Sequence, residues 1–295
     1  MAAARQPGRT GTGPLRRGVA FLAVLALLVA LWEGYKFLGA IWDGTWPILG
    51  VEMRPRPGNG SLPHVWDVVA ALVAPARRNA EPLILTLLVA TIYTLREALV
   101  GFLVGAVVGF GIGVVFVRSL AAERAFMPYV VASQTIPIIA VAPMVVVWGR
   151  QLELPGWTMV SIIAAYLTFF PVAINTVRGL RSPEATATEL FDSYAATPWQ
   201  RLTKLQIPSA LPYIFTALKI SAAASVVGAI VGELPAGFAD GLGRALLQFN
   251  QTFAADPSKL YAAVLMSAIG GIAFVGLVAV AERLTLPSAR REVTI

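Results

Sequence analysis

The sequence contains no cysteine and a single histidine, His64, among 295 residues. These absences exclude disulfide scaffolds, zinc-thiolate and iron-sulfur sites, thiol nucleophiles and any metal site that needs several histidines. Charge is also scarce, since charged residues are 13% of the chain against about 25% in soluble domains. Hydrophobic residues make up 57% instead, and the mean hydropathy is +0.72. This is the composition of a membrane protein with several spans, in which the net charge of +7 reflects topology better than nucleic-acid binding.

Six apolar stretches are long enough to cross a bilayer, which predicts an all-α polytopic membrane protein with about six transmembrane helices. They are 18–38, 83–117, 129–148, 157–177, 212–234 and 260–280. The second is about 35 residues long, so we expect it to begin as an interfacial or tilted segment before it spans. Pro137 and Pro143 are expected to interrupt the third. In the first, Glu33 and Lys36 have the spacing of an ion pair on one helix face.

The segments between the apolar stretches predict the topology. Residues 1–17 are a basic tail expected to be disordered, and 39–82 are an external loop with one short interfacial helix at 64–74. Basic residues number about fourteen in the segments placed inside and about three in the two short external ones. This asymmetry predicts that both termini are cytoplasmic.

Glycine recurs every fourth residue in the second apolar stretch, at Gly101, Gly105, Gly109 and Gly113. The spacing places all four on one stripe of a helix, where another helix can approach closely. The Gly-x-Gly pattern within this stretch also occurs in dinucleotide-binding loops. Apolar residues flank it on both sides, however, and no charged residue follows until Arg118. We therefore predict a helix-packing stripe.

Residues 178–211 are the only long polar stretch in the second half of the chain. Apolar residues at helical spacing within it predict two short amphipathic helices at the membrane surface. Pro198 suits the first turn of the second helix, and Pro208 and Pro212 are expected to end that helix before the next span. The apolar face of such a pair needs either the lipid interface or a partner protein.

The spacing of this loop resembles the signature of the membrane permease subunits of binding-protein-dependent ABC importers. In that family the loop carries Glu-Ala-Ala, three residues, Gly, nine residues and then Ile-x-Leu-Pro. The matching positions here are Glu189, Leu190, Phe191, Ala195, Leu205, Ile207 and Pro208. Both alanines and the glycine of the signature are therefore replaced, the glycine by Ala195. A turn with positive φ is costly without glycine, so we expect Thr197 and Pro198 to make this turn instead.

The resemblance covers about residues 85–285 and includes four further stretches, TLREALVGFLVG, QTIPIIAVAPMVVVWG, FFPVAINTVRGL and IVGEL with the following GLG. It implies a type I ABC importer permease fold with a cytoplasmic coupling-helix loop. The implied subgroup imports nitrate, sulfonates, taurine, thiamine-precursor pyrimidines and riboflavin, and the last of the four stretches is most similar to its heterocycle-precursor members. The implied organisation is a tail at 1–17, a first helix and external loop at 18–82, a permease core at 83–285 with its coupling loop at 183–211, and a cytoplasmic tail at 286–295.

The resemblance also implies the partners. They are a dimer of cytoplasmic ATP-binding subunits, an external or periplasmic solute-binding protein, and a second permease subunit that is identical or related. We expect this chain to bind no cofactor and ATP to bind the separate ATPase, because no lysine follows a glycine as a phosphate-binding loop requires. The predicted coupling residues are Glu189, Leu190, Phe191, Asp192, Tyr194, Ala195, Thr197, Trp199, Gln200, Leu205, Ile207 and Pro208. The alternative for the aromatic residues among them is burial against the protein's own spans.

Few polar side chains lie within the predicted spans. Glu233, near the outer end of the fifth, is either a functional acid or an interfacial residue that pairs with Arg150 or caps the following external segment. Gln134, Asn175 and Ser225 are candidates for the translocation pathway, and hydrogen bonding between helices is their alternative role. No combination of residues predicts a metal site.

Two other function classes explain less of the sequence. A secondary, ion-coupled transporter predicts paired ionisable residues at mid-membrane and inverted repeats, and neither is visible. An integral membrane enzyme requires a nucleophile beside a base or a cluster of acids and histidines. Only a permease explains the 189–208 loop. The predicted function is therefore a non-enzymatic transport subunit that forms the pathway for uptake of a small organic or anionic solute.

Overall fold

The computed structural model describes residues 14–41, 46–48, 51–53, 58–76, 81–236 and 240–286. Its helices are α1 (Pro14–Ile41), α2 (Val65–Val73), α3 (Leu83–Arg118), α4 (Leu120–Ser133), α5 (Ile138–Gln151), α6 (Gly156–Leu180), α7 (Ala185–Ser193), α8 (Pro198–Arg201), α9 (Ile207–Ala236), α10 (Leu242–Gln251) and α11 (Pro257–Thr285). Two three-residue strands, β1 (Trp46–Ile48) and β2 (Val51–Met53), pair antiparallel. All the other described secondary-structure elements are helices, joined by short loops, which confirms the predicted fold class.

The long helices α3, α6, α9 and α11 form the packed bundle. The glycine stripe of α3 lies directly on α6, because a Cβ atom added at Gly101 would lie 2.5 Å from the Ala164 Cβ. One added at Gly109 would lie 2.4 Å from the Phe169 carbonyl oxygen. Contacts advance in the same direction along both helices, so α3 and α6 run parallel. The glycines bring the two backbones closer than any side chain would allow.

Five helices in the described part of the chain are long and apolar enough to cross a membrane, and the number rises to six if α4 and α5 together form one bent span. The multi-pass architecture is therefore confirmed. The first span, in α1, differs from the others. None of the residues in its most apolar 18-residue stretch is buried within this chain, whereas 44% of those in the corresponding stretch of α6 are buried.

Two predicted spans differ in detail from the structure. The second is one continuous helix of 36 residues, about 54 Å long, with no separate interfacial segment. The third is two helices, α4 and α5, bent by 99° at a break between Ser133 and Ile138. The bend precedes Pro137, which disfavours helical backbone in the residue before it. Pro143 lies inside α5 and does not interrupt it.

The predicted helix stop at Pro208 and Pro212 is wrong. A five-residue π-helical turn, Leu202–Gln206, joins α8 to α9 without a break. In this turn the Ile207 amide bonds the Leu202 carbonyl oxygen, five residues back. The wider turn accommodates the Pro208 ring and the absence of an amide hydrogen at Pro208, so α8 and α9 form one continuous helix.

The predicted pairing of Glu33 with Lys36 is also wrong. The Glu33 carboxylate lies 2.6 Å from His64 Nδ1 and accepts a hydrogen bond from the Val65 amide. Lys36 Nζ donates to Asn59 Oδ1 at 2.7 Å. These bonds attach the end of α1 to residues 58–65, which precede α2. A short helix is present where one is predicted at 64–74, as α2 (Val65–Val73), and its interfacial position stays a prediction.

Residues 14–17, which the sequence predicts as part of the basic tail, belong to α1, because this helix begins at Pro14. Residues 1–13 and 287–295, from the two predicted tails, lie outside the described residues.

Candidate functional site

Two regions at opposite ends of the bundle concentrate the functional candidates. The first is the surface of α7 and α8, which we call the coupling surface and define as residues 184–201. It follows the end of α6 and leads through the π turn into α9. The predicted pair of short helices is thus present, although the second continues into the span instead of ending before it.

Large apolar side chains are exposed on the coupling surface. The exposed fractions are 53% for Leu190, 78% for Tyr194 and 66% for Trp199. Leu190, Tyr194 and the half-buried Phe191 line a groove of about 320 Å³ together with Gln200 and Lys204. The alternative role predicted for the aromatic residues was burial against the protein's own spans. Tyr194 and Trp199 are exposed instead, and Phe191 is half-buried. An apolar patch of this kind marks an interaction site.

Ala195 makes the turn between the two helices. Its φ is +48°, in the left-handed region that L-residues rarely adopt. The Ala196 amide bonds the Phe191 carbonyl and the Ala195 amide bonds the Asp192 carbonyl, which is the hydrogen-bond pattern of a helix C-terminal Schellman motif. The expectation that Thr197 and Pro198 replace this geometry is wrong, because alanine adopts it.

Thr197 has a different role, as the N-cap of α8. Its hydroxyl accepts from the Gln200 amide, while the Gln200 side chain accepts from the Thr197 amide. This reciprocal capping box fixes the start of α8 and places Pro198 in the first turn.

The coupling surface is attached firmly to the bundle. Leu202 in the π turn is buried with Leu180 of α6 and Ala210 of α9. Arg118 at the end of α3 donates to the Pro198 carbonyl at 3.4 Å. These contacts join the loop that carries the surface helices to three different spans, α3, α6 and α9.

Charged residues at this end are partly engaged with one another. Asp192 forms an ion pair with Arg201, so its carboxylate is not free in this conformation for a partner. Glu123 binds Arg181 through two hydrogen bonds of 2.9 and 2.5 Å, and the carboxylate raises the pKa of the Arg181 guanidinium above its ordinary value. Glu189 is exposed, and no ion pair to it occurs among the described residues.

The second region is a buried polar cluster at the opposite end, formed by Thr94, Glu97, Glu233 and the start of α10. Glu97 and Glu233 are each only 1% exposed. Glu233 Oε1 accepts from the Thr94 hydroxyl at 2.6 Å, and Glu233 Oε2 accepts from the Gly243 amide at 2.5 Å. Glu233 therefore caps the segment that follows it. Of the two structural roles predicted for Glu233, capping is the one observed, and no ion pair between Glu233 and Arg150 occurs within the part of the chain that the structure describes.

Glycine is required at the entry to α10. Gly241 has a φ of +103°, and a Cβ atom there would lie 2.4 Å from the Glu233 carboxyl carbon. The following amide, of Leu242, donates to Thr94 Oγ1 at 2.8 Å. Three elements, α3, α9 and α10, thus meet at one hydrogen-bonded point.

The three other pathway candidates lie apart from one another. Gln134 is exposed at the break between α4 and α5. Asn175 Nδ2 donates to the Pro171 carbonyl at 2.8 Å, and the Ser225 hydroxyl donates to the Ala222 carbonyl at 2.9 Å. These bonds lie within single helices, so the alternative of bonding between helices is not observed for either residue.

Sequence reasoning missed Thr94 and Glu97 as members of the buried cluster and Leu202 as the anchor of the loop. The spacing of Thr94 and Glu97, three residues apart on an apolar helix, was an available signal, because it places both on one face. The Gly-Leu-Gly after Glu233 was another, since it marks the close approach of backbone to a side chain.

Comparison with known proteins decides the family. Residues 101–286 match the family model described as the binding-protein-dependent transport system inner membrane component. The chain belongs to this family. It is also similar, at 37% identity over 175 residues, to the formylaminopyrimidine transport permease protein of Halalkalibacterium halodurans, a match that spans 58% of this chain and 65% of that protein.

A second relative from the family is the riboflavin transport system permease protein of Chloroflexus aurantiacus, which is 38% identical over 115 residues, or 39% of this chain and 41% of that protein. The matches thus span less than two thirds of either relative. A structure of the MetNI methionine ABC transporter in inward-facing conformations shares the fold, with a TM-score of 0.60 at 19% identity, covering 70% of this chain and all of that one. The coupling surface lies within the residues that match the family model, whereas α1 and α2 precede them.

Proposed function

We propose that this chain is the permease subunit of an ABC importer, which forms the translocation pathway for a small solute and is driven by a separate ATPase. The observation that carries the proposal is the coupling surface: exposed aromatic residues on two short helices, the second of which continues without a break into a span. Membership of the binding-protein-dependent transport family supports it. That family consists of membrane transport components, which agrees with a non-enzymatic role.

Coupling follows from the way the surface is built. A partner that grips Leu190, Tyr194 and Trp199 would bury apolar area that is now exposed. Because α8, the π turn and α9 are continuous, movement of the partner would tilt α9 directly. The π turn is the one irregular point on that path, and irregular turns of this kind are frequent at functional sites.

The predicted partners follow from the same surface and remain proposals. An ATP-binding subunit would dock on the coupling surface, and this docking would put that end of the bundle in the cytoplasm, with both termini on the same side as the sequence predicts. ATP would bind that subunit, since this chain has no glycine-lysine pair for a phosphate-binding loop. A solute-binding protein would approach the α10 end, and a second permease subunit would complete the pathway.

The proposed solute is a small organic molecule. The relatives at 37% and 38% identity are named for transport of a formylaminopyrimidine and of riboflavin, both nitrogen heterocycles. A third relative, at 30% identity, is named as a putative permease for aliphatic sulfonates in Bacillus subtilis. Heterocycles are therefore the first compounds to screen against the binding protein, and sulfonates the second.

Charge reversal on the coupling surface tests the proposal. Glu189→Lys should prevent an ATPase subunit from co-purifying with the chain and should abolish uptake, while expression and thermal stability stay unchanged. The matched control is Glu81→Lys, which reverses an exposed acid just before α3, outside the coupling surface, and should leave co-purification of the ATPase unchanged. Normal co-purification and uptake in Glu189→Lys would contradict docking through this residue.

A further inference from the structure

The buried cluster contains one side chain whose hydrogen bonding is incomplete. Both carboxyl oxygens of Glu97 are buried and have no hydrogen-bond partner among the described residues. Both oxygens of its neighbour Glu233 already accept bonds, from Thr94 and from Gly243. A buried carboxylate without a donor is strongly unfavourable, so the site requires a ligand that supplies positive charge or a donor.

Among the described residues, Arg96 is the cation whose charge acts on Glu97. The Arg96 side chain, next to Glu97 in the chain, is exposed, and no ion pair to either acid occurs among the described residues. The other titratable neighbours are Tyr93 on α3 and Asp240 before α10, neither of which brings a positive charge. From α6 the Ser161 hydroxyl binds the Glu97 backbone carbonyl, not its carboxyl group.

We propose that Glu97 and Glu233 form a buried proton-binding site, in which one proton shared between the two carboxyl groups holds α10 against the bundle. A carboxylate only accepts hydrogen bonds, so two of them side by side can bond to each other only when a proton lies between them. A proton on Glu97 removes its charge and makes it a donor to Glu233. The carboxylate of Glu233 then keeps its bonds to Thr94 and to the α10 amide.

Loss of this proton would act on α10 through Glu233. Glu97 and Glu233 interact directly through their side chains, so two negative charges there repel each other. Glu233 holds the start of α10 through the Gly243 amide at 2.5 Å. Raising the pH therefore weakens the attachment of α10, and lowering it restores the attachment. This direction of the pH dependence follows because only the protonated pair gives the buried Glu97 carboxyl group a hydrogen-bond partner.

Infrared spectroscopy detects the proton directly, since a protonated carboxylic acid has a carbonyl stretch that a carboxylate lacks. The full chain in lipid nanodiscs should show this band at neutral pH, and Glu97→Gln should remove it. Glu81→Gln, at an exposed position just before α3, is the matched control and should leave it unchanged. A band that persists in Glu97→Gln would overturn the proposal.

The effect on α10 is measured separately. Because the chain has no cysteine, Asn250→Cys places a single spin label on the exposed side of α10. The label should become more mobile as the pH rises in the parent chain and stay immobile in Glu97→Gln, whose amide donates at every pH. Glu97→Leu also removes the charge, so its spin label should likewise stay immobile as the pH rises. This second variant replaces Glu97→Gln if the glutamine variant does not fold. Equal pH dependence in all three chains would overturn the proposal. Neither measurement depends on transport, so both remain valid if the importer assignment fails.

Discussion

Replacing Ala195 by glycine should stabilise the coupling surface. Ala195 occupies the left-handed region, at φ +48°, in the position where this C-terminal motif normally carries glycine. That conformation costs an L-residue about 1–2 kcal/mol, and the greater freedom of glycine in the unfolded chain offsets about 0.5–1 kcal/mol of the gain. The net stabilisation is about 0.7 kcal/mol, which corresponds to about a threefold change in the local opening equilibrium.

Hydrogen exchange of the purified chain measures this change. The amides of Ala195 and Ala196 close the turn, so their protection should rise about threefold in Ala195→Gly. The matched control is Ala196→Gly, one residue later, where φ is not positive. That substitution should lower protection, because glycine gains nothing there and loses entropy on folding. Unchanged or lower protection in Ala195→Gly would refute the assignment of strain to this residue.

Three further predictions concern the bundle and its two ends. Gly109→Ala should lower the free energy of unfolding by about 1–3 kcal/mol, because the added Cβ would overlap the α6 backbone. Gly111→Ala should be neutral or stabilising, because no atom lies within 4 Å of the added Cβ. Equal effects of the two would contradict the packing stripe. Leu202→Ala should cost about 2–5 kcal/mol and loosen the coupling surface, seen as faster hydrogen exchange in α8. Thr94→Val should leave the Leu242 amide without its acceptor and cost about 1–3 kcal/mol, seen as faster exchange at the start of α10; unchanged exchange there would contradict the role of this bond.

Local rules predicted the elements of the fold better than the joins between them. The length of the apolar runs gave the spans, and four-residue glycine spacing gave the stripe that lies on α6. The continuous passage from α8 to α9 was not predictable, because prolines normally end helices and only the π turn before Pro208 prevents this. The bonds of Glu33 and Lys36 were missed because their partners, at residues 58–65, are distant in the chain.

In the candidate site, too, local sequence patterns predicted the helices but not the contacts between distant residues. Exposed apolar residues on α7 follow from helical periodicity, whereas the left-handed Ala195 contradicts local propensity and is imposed by the bonds around it. The cluster around Glu233 joins Thr94 to residues almost half the chain away, and no local pattern specifies such a contact. Isolated acids in apolar helices indicated that a polar partner must exist, but not which one.

In the proposed mechanism a separate ATPase drives this chain through the coupling surface. Affinity purification from native membranes in mild detergent, followed by mass spectrometry of the associated chains, tests whether that ATPase binds. We expect to recover a subunit that contains a phosphate-binding loop, together with a solute-binding protein. Tyr194→Ala should lose that subunit, because this side chain is the most exposed aromatic of the coupling surface, at 78%. A correctly folded chain that purifies alone would rule out the proposed mechanism.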